Sequence, residues 1–470
     1  MLEKGIKKFI GDKEFYSATA KIVVPVIVQQ LFFNLAGYID NLMINSYSNL
    51  SYSGVSAANR LMFIFNFICI GLSASTGIFI SQYFGAKKKE GINSTLNLSI
   101  ICAVIFGVVG FIIFHFFGHA VVDMYIQNPE ARYYGYRYLD VMKWGLVLIA
   151  LNLSLSSCFR SVKQPLLPLF AAITEIVVNI TLNYVLIFGH FGFPKLDSQG
   201  AAIATVISRL VSVCILFITA LFGKKSYFKE FYKKINIGKD LVKTFTKTGL
   251  PIVVNELAFA LGNVLFAMFY AYKNDLWYNA YSYAQNISDL FFIFFAALGN
   301  GTSVIVGSAL GAGDFDRAWR DSFRMKGLGV MLGGGIAIIM AIVAPYAILL
   351  FNPDPITKEI AIKVLYFTAA LLAFYAYNSV CFFILRAGGD SIRAFVLDQG
   401  ATFLVGIPIA IVLGVNAASW GLTLPFIFAI THISDVIKFF LGTYFVGTKK
   451  WMVNLTVKPG EKNAQPAMEG

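Results

Sequence analysis

The chain has 470 residues, 57% of them hydrophobic, 16% aromatic and 13% charged, with a formal net charge of +13. A mean hydropathy of +0.70 excludes a water-soluble globule and makes lipid the expected solvent. The basic excess then reads as topological, with Lys and Arg held on one side of a membrane in short loops rather than arrayed for nucleic acid.

A helix needs roughly 20 apolar residues to cross about 30 Å of hydrocarbon. The N-terminal segment 1–19 places Lys4, Lys7, Lys8 and Lys13 before a run too long for the core of a cleavable signal peptide. Spans are then predicted at 20–46, 54–82, 94–117, 137–158, 166–189 and 200–222, which make up a first lobe over 20–222. A basic segment, 223–245, holds Lys224, Lys225, Lys229, Lys233, Lys234 and Lys239 and reads as a cytoplasmic linker. Further spans at 246–272, 279–308, 325–350, 361–385, 393–415 and 418–446 make a second lobe over 246–446, and 447–470 is a tail. These runs are too continuously apolar for barrel strands. The expected fold class is all-α and integral to the membrane, with twelve transmembrane helices.

Loop charges set the expected orientation. Lys87 to Lys89, Arg160 with Lys163, Arg317 with Arg320 and Arg324, and Arg386 with Arg393 fall in alternate loops, whereas the loops near 47–53 and 414–418 carry no base. Both termini are therefore expected in the cytoplasm, with the chain in the cell membrane. An internal repeat organises the rest: Pro25 and Pro251 open corresponding spans, 226 residues apart (251 minus 25). The same separation pairs Gly85-Ala86 with Gly311-Ala312, Pro129 with Pro355, Asn152 with Asn378 and Arg160 with Arg386. Six spans per half is even, so the repeat is parallel, giving two pseudo-symmetric six-helix lobes around a central cleft. Alternating access requires such a pair; a receptor or scaffold that moves nothing does not.

Ionisable groups inside spans are costly and mark function by default. In the first half these are Asp40, Glu175 and Arg209. Asp40 lies about six residues, roughly 9 Å, from the end of its span. Glu175, Asn179 and Asn183 recur every fourth residue as one polar stripe. Asp40, Asn183, Thr205 and Tyr138 fall at a similar depth. Two readings stay open: a hard-cation shell or proton-binding carboxylate, and interhelical hydrogen bonds that glue the lobe together. Adding 226 to Asp40, Asn179 and Asn183 lands on Phe266, Val405 and Ile409, so the cluster is not duplicated, which favours a specialised site. In the second half Glu256, Asp289, Asn378 and Asp398 are candidates for binding a cationic substrate in the cleft, Asp398 alternatively pairing with Arg393 or Arg386.

The five cysteines lie in apolar stretches and read as small buried hydrophobes. His115 and His119, four apart, lack a third ligand, so no metal is expected beyond a sodium ion at the Asp40 site. Gly311-Ala312-Gly313-Asp314 ends a span rather than cradling phosphate, and Gly333 to Gly335 reads as a helix-packing surface. No nucleophile adjoins a base, so neither catalysis nor a cofactor is expected.

The stretch "GVSAANRLMFIFNFICIGLSASTGIFISQYFGA" from Gly54, its counterpart "SYAQNISDLFFIFFAALGNGTSVIVGSALGAGD", "NLAGYIDNLMI" around Asp40 and "NITLNYVLIFG" around Asn183 resemble the multidrug and toxic compound extrusion (MATE) family. The resemblance implies an antiporter that expels amphipathic organic cations in exchange for sodium or protons. In the branch with a first-lobe cation site, the DinF-like branch being the candidate, it implies a coupling site at Asp40, Tyr138, Asn152, Asn179, Asn183 and Thr205, with Glu175 as an accessory acid. The position of Asn183 is often an aspartate in that family, which leaves Asp40 as the site's clear carboxylate here. A flippase for lipid-linked saccharides is the alternative within the architecture. Partners are expected to be a small organic molecule and the bilayer, with no nucleic acid, and a monomer suffices because one chain holds both lobes.

Overall fold

A computed structural model describes residues 7–224, 226–231, 237–273, 275–457 and 465. Lys4, Lys225, Lys233, Lys234 and most of the tail beyond 457 lie outside the described residues. Among the described residues, twelve helices are long and apolar enough to cross a membrane. In chain order they are α1 Lys13–Tyr47, α2 Asn49–Gly85, α3 Lys89–Tyr125, α4 Pro129–Ser161, α5 Leu166–Phe188 and α6 Asp197–Phe222. They continue as α7 Lys239–Lys273, α8 Asp275–Gly311 and α9 Phe315–Ala347. The last three are α10 Pro355–Ala387, α11 Ser391–Val415 and α12 Leu424–Gly447.

Helix ends are written locally. Ser48 caps α2 through Leu50 and Ser51, Asn128 caps α4 and Asp354 caps α10, each accepting from two backbone amides, and Pro129 and Pro355 take the first helical position. Asp314 closes the supposed glycine motif by capping α9, its carboxylate accepting from Arg317 N at 3.0 Å.

The repeat is reproduced in the helices. Those starting at Lys13, Asn49, Lys89 and Pro129 have counterparts starting at Lys239, Asp275, Phe315 and Pro355, each 226 residues later (239 minus 13). The turns correspond too: Lys87 (φ 57°) and Lys163 (φ 60°) hold left-handed conformations that Gly313 (φ 74°) and Gly389 (φ 80°) take in the second half. Glycine meets that requirement without a Cβ penalty.

The chain divides into two compact units: Val24–Glu256, and Leu257–Gly470 together with Met1–Val23. One boundary cuts α1 immediately before Pro25, the other cuts α7 five residues after Pro251. Each proline removes a backbone donor from its helix and weakens it there.

Within the first unit, α2 and α4 touch backbone to backbone. A Cβ on Gly54 would meet the Ala131 carbonyl oxygen at 2.2 Å and Gly135 N at 2.7 Å. The described part of the basic linker is not a free tether: Asn93 and Asn97 of α3 donate to the Tyr227 and Phe231 carbonyls, at 3.3 and 2.9 Å, and Phe228 is buried against Phe159. In the second unit, Gly333 packs against Ala376 and Leu372 of α10, whereas Gly334 and Gly335 face open space, so one glycine of the three makes the close contact. Trp451, fully buried, donates to Val446 O at 2.9 Å, and Asn454 donates to Gly311 O at 3.3 Å, which docks the start of the tail on its own unit.

Two features depart from simple spans. Helix α11 widens to π geometry over Val396–Gly400 and Thr402–Gly406, and α12 starts at Leu424 rather than near 418 because Asn416 to Leu422 turn outside the helix. The cysteines also divide: Cys69, Cys158 and Cys381 are buried, Cys102 is half-buried and Cys214 is exposed. Cys214 is therefore corrected from a buried residue to an exposed one on α6.

Candidate functional site

The polar stripe on α5 meets α1 and α6 inside the Val24–Glu256 unit. Asn183, fully buried, donates from Nδ2 to Asp40 Oδ1 on α1 and, at 3.2 Å, to Asn179 Oδ1 one turn away. Asn179 donates onward to Thr205 Oγ1 on α6 at 3.4 Å, and Thr205 donates to Ala201 O at 2.9 Å. Asn183 is thus the branch point: one bond goes to the Asp40 carboxylate, and the other starts a run of donors through Asn179 and Thr205 that ends on the Ala201 carbonyl. The Asn183 carbonyl oxygen is buried and has no hydrogen-bond partner among the described residues. An unsatisfied buried acceptor is expensive, and this one belongs to the amide that holds Asp40.

A second layer lies two turns along α5. Glu175 Oε1 is 3.1 Å from Arg209 Nε on α6, and Asn152 of α4 donates to Glu175 Oε2 at 3.4 Å and to Ser212 Oγ at 2.8 Å. Tyr138 of α4 is buried within electrostatic range of Asp40 and Arg209, and makes no hydrogen bond to the chain among the described residues. The six residues and Glu175 singled out from sequence are thus gathered in one unit but in two layers, with Asn152 in the layer of Glu175 rather than that of Asp40. Arg209, visible in the sequence as an ionisable group in a span, pairs with Glu175. Ser212 was not singled out; its place three residues after Arg209 on the same helix face was the available signal.

The second-unit candidates have other neighbours. Asp289 accepts from Gln285 at 2.7 Å, one turn away on α8. Asp398 approaches Lys438 Nζ on α12 at 3.8 Å and accepts from Gln399 at 2.7 Å, while Lys438 also pairs with Asp435 at 3.5 Å. Asn378 donates to the Asp435 carbonyl at 2.7 Å. Of the two partners expected for Asp398, Arg393 or Arg386, Arg393 holds Asp390 at 3.0 Å, because Asp390 caps the start of α11 only three residues away. Lys438 and Asp435 escaped the sequence reading. Glu256 is the last residue of the first unit. Of the histidine pair, His119 lies 3.4 Å from Asp140 and His115 3.4 Å from Lys143; no group of three metal-type ligands occurs among the described residues.

Counted with all three side chains ionised, the first-unit site holds one negative charge in excess: Asp40 and Glu175 against Arg209. Two amides and a hydroxyl are linked to Asp40 by hydrogen bonds, and the Tyr138 phenol lies within its electrostatic range. Such a site can hold one proton or one small monovalent cation.

Comparison with known proteins agrees with the repeat and the topology. The MatE family model matches twice, over residues 25–185 and 251–412. The chain is 25% identical over 421 residues to "Uncharacterized transporter YisQ" of Bacillus subtilis, covering 86% of this chain and 89% of that protein. It is 25% identical over 386 residues to "Probable multidrug resistance protein NorM" of Bacillus cereus, covering 80% of each. Among solved structures it superposes on a MATE crystal structure in complex with MaL6 at a TM-score of 0.83, with 18% identity over 95% of this chain and 99% of the other. It matches a transporter of the MOP superfamily from Pyrococcus furiosus at the same TM-score, with 17% identity over 97% and 99%. With two matched copies of the family model and twelve membrane-spanning helices, the chain belongs to the MATE family and is a multi-pass membrane transporter.

Proposed function

We propose that this transporter exports amphipathic organic cations in exchange for one sodium ion or proton taken up at Asp40, with both termini in the cytoplasm. The observation that carries the reading is the buried Asn183 amide, which donates to Asp40 and to Asn179, and through Asn179 is linked to Thr205, while its own oxygen stays open. The names of relatives such as "Probable multidrug resistance protein NorM" agree with a multidrug substrate class. Cation entry neutralises Asp40, removes the charge to which Asn183 donates, and alters the packing of α1 against α5. Exchange of one monovalent cation for another moves no net charge, so the ion gradient drives it: a tenfold gradient is worth about 1.4 kcal/mol and sustains a roughly tenfold gradient of a cationic substrate.

The test is Asp40→Asn in membrane vesicles loaded with ethidium. The isosteric amide still accepts from Asn183, so the protein is expected at its normal level in the membrane while gradient-driven efflux is lost. Undiminished gradient-driven efflux would remove Asp40 from the mechanism.

A further inference from the structure

The Glu175–Arg209 pair lies within membrane-spanning helices, its side chains 14% and 12% exposed. Stability alone does not account for it, since desolvating two charges costs about what their attraction returns and a well-packed apolar pair holds two helices as well or better. Its position supplies another reason. Glu175 lies two turns from Asn183 on the polar face of α5, and Arg209 lies one turn from Thr205 on α6. The Arg209 guanidinium carbon is 5.6 Å from the centre of the Phe33 ring on α1. Phe33, Gly37 and Asp40, spaced by four and three, share one face of α1, so Arg209 stands at the foot of the face that carries Asp40. Between them that face is open: a Cβ on Gly37 would meet nothing within 4 Å.

Resting on the reading that Asp40 takes the coupling cation, we propose that Arg209 is a tethered cation that competes with the coupling ion for Asp40, and that Glu175 is the anchor that holds it away. Anchored, Arg209 cancels Glu175 and leaves Asp40 to bind one monovalent cation. Released, it moves along the open face and satisfies Asp40 itself. Neither residue touches the ion; both position the charge that does or does not compete with it. The pair therefore sets the charge count of the transport cycle.

The test counts cations bound per molecule of purified full-length protein, sodium by radioactive tracer and protons by release into weak buffer, and repeats ethidium export in proteoliposomes. Wild type is expected to bind one. Glu175→Gln frees Arg209 and is expected to weaken cation binding and gradient-driven export by at least about tenfold, the scale of one opposed charge at close range. The neutral double variant Glu175→Gln/Arg209→Met is expected to bind one cation again and to export within about threefold of wild type. Arg209→Met leaves two unpaired carboxylates and is expected to raise the positive charge taken up per ethidium from one to two, read at clamped membrane potential from the ion gradient that balances a set ethidium gradient. A merely structural pair would leave that ratio at one. Should a single variant fail to fold, the neutral double variant still decides, because a folded double variant that binds no cation overturns the proposal. If Asp40→Asn binds cation as wild type does, the Asp40 reading itself has failed. If Asp40→Asn abolishes binding while Glu175→Gln binds as wild type does, that reading stands and the tethered-cation inference alone is overturned.

Discussion

Asn183→Asp puts a second carboxylate where an amide now donates to Asp40 Oδ1. Two like charges about 4 Å apart repel by about 4 kcal/mol at an effective dielectric of 20, a factor of roughly a thousand. The pair therefore does not stay doubly ionised and empty; it shares a proton or takes up a cation, so the site accepts one more positive charge than before. The variant also loses the 3.2 Å hydrogen bond that Asn183 donates to Asn179, which costs about 1 kcal/mol of stability. Ion binding to purified protein at equilibrium is expected to rise from one positive charge per molecule in wild type to two in the variant, with a small drop in thermal midpoint. A count of one in both proteins would mean that residue 183 does not share the ion's surroundings, and the assembled site would be refuted.

Two further expectations concern the scaffold. Gly54→Val forces a side chain into the Ala131 carbonyl, where even a Cβ would stand at 2.2 Å from backbone that cannot rotate away; the loss should be at least the roughly 1–3 kcal/mol typical of overpacking, seen as a lower thermal midpoint, and an unchanged midpoint would contradict the α2–α4 contact. Asp12 accepts from Phe15 N at 2.8 Å and from Arg324 Nη2 at 2.9 Å, and the Phe15 amide first, then Arg324, holds its carboxyl below the ordinary range. Because the folded value is depressed, its contribution is fully present above the ordinary carboxylate value of about 4 and is lost as pH falls through the folded value. The stability difference between wild type and Asp12→Asn should thus be constant near neutrality and vanish in strong acid, and a difference that persisted at pH 2 would contradict the assignment.

Much of this organisation is written locally. Long apolar runs mark the spans, and the 226-residue register that pairs Pro25 with Pro251 reappears as helices starting at Lys13 and Lys239. The meeting of Asp40 with Asn183 was legible because a carboxylate and an amide at equal depth in a low-dielectric medium seek each other. The division of the site into two layers was not, since i, i+4 spacing says that Glu175, Asn179 and Asn183 share a face but not which residue on another helix each one meets. Asn152 accordingly went to Glu175 and Ser212. Asp398 and Lys438 come together across two helices, a contact of the fold rather than of the local pattern. The π geometry from Val396 to Gly406 has no periodic signature in an apolar run, and the exposed Cys214 shows that apolar context alone does not separate an exposed position from a packed one.

Ethidium efflux from proteoliposomes holding the wild-type protein, with inward sodium and proton gradients imposed one at a time, goes to the heart of the mechanism. One of the two gradients should accelerate efflux severalfold and its collapse should abolish the gain. Efflux that is absent, or that runs at the same rate with either gradient and with none, would contradict coupling through a cation at Asp40.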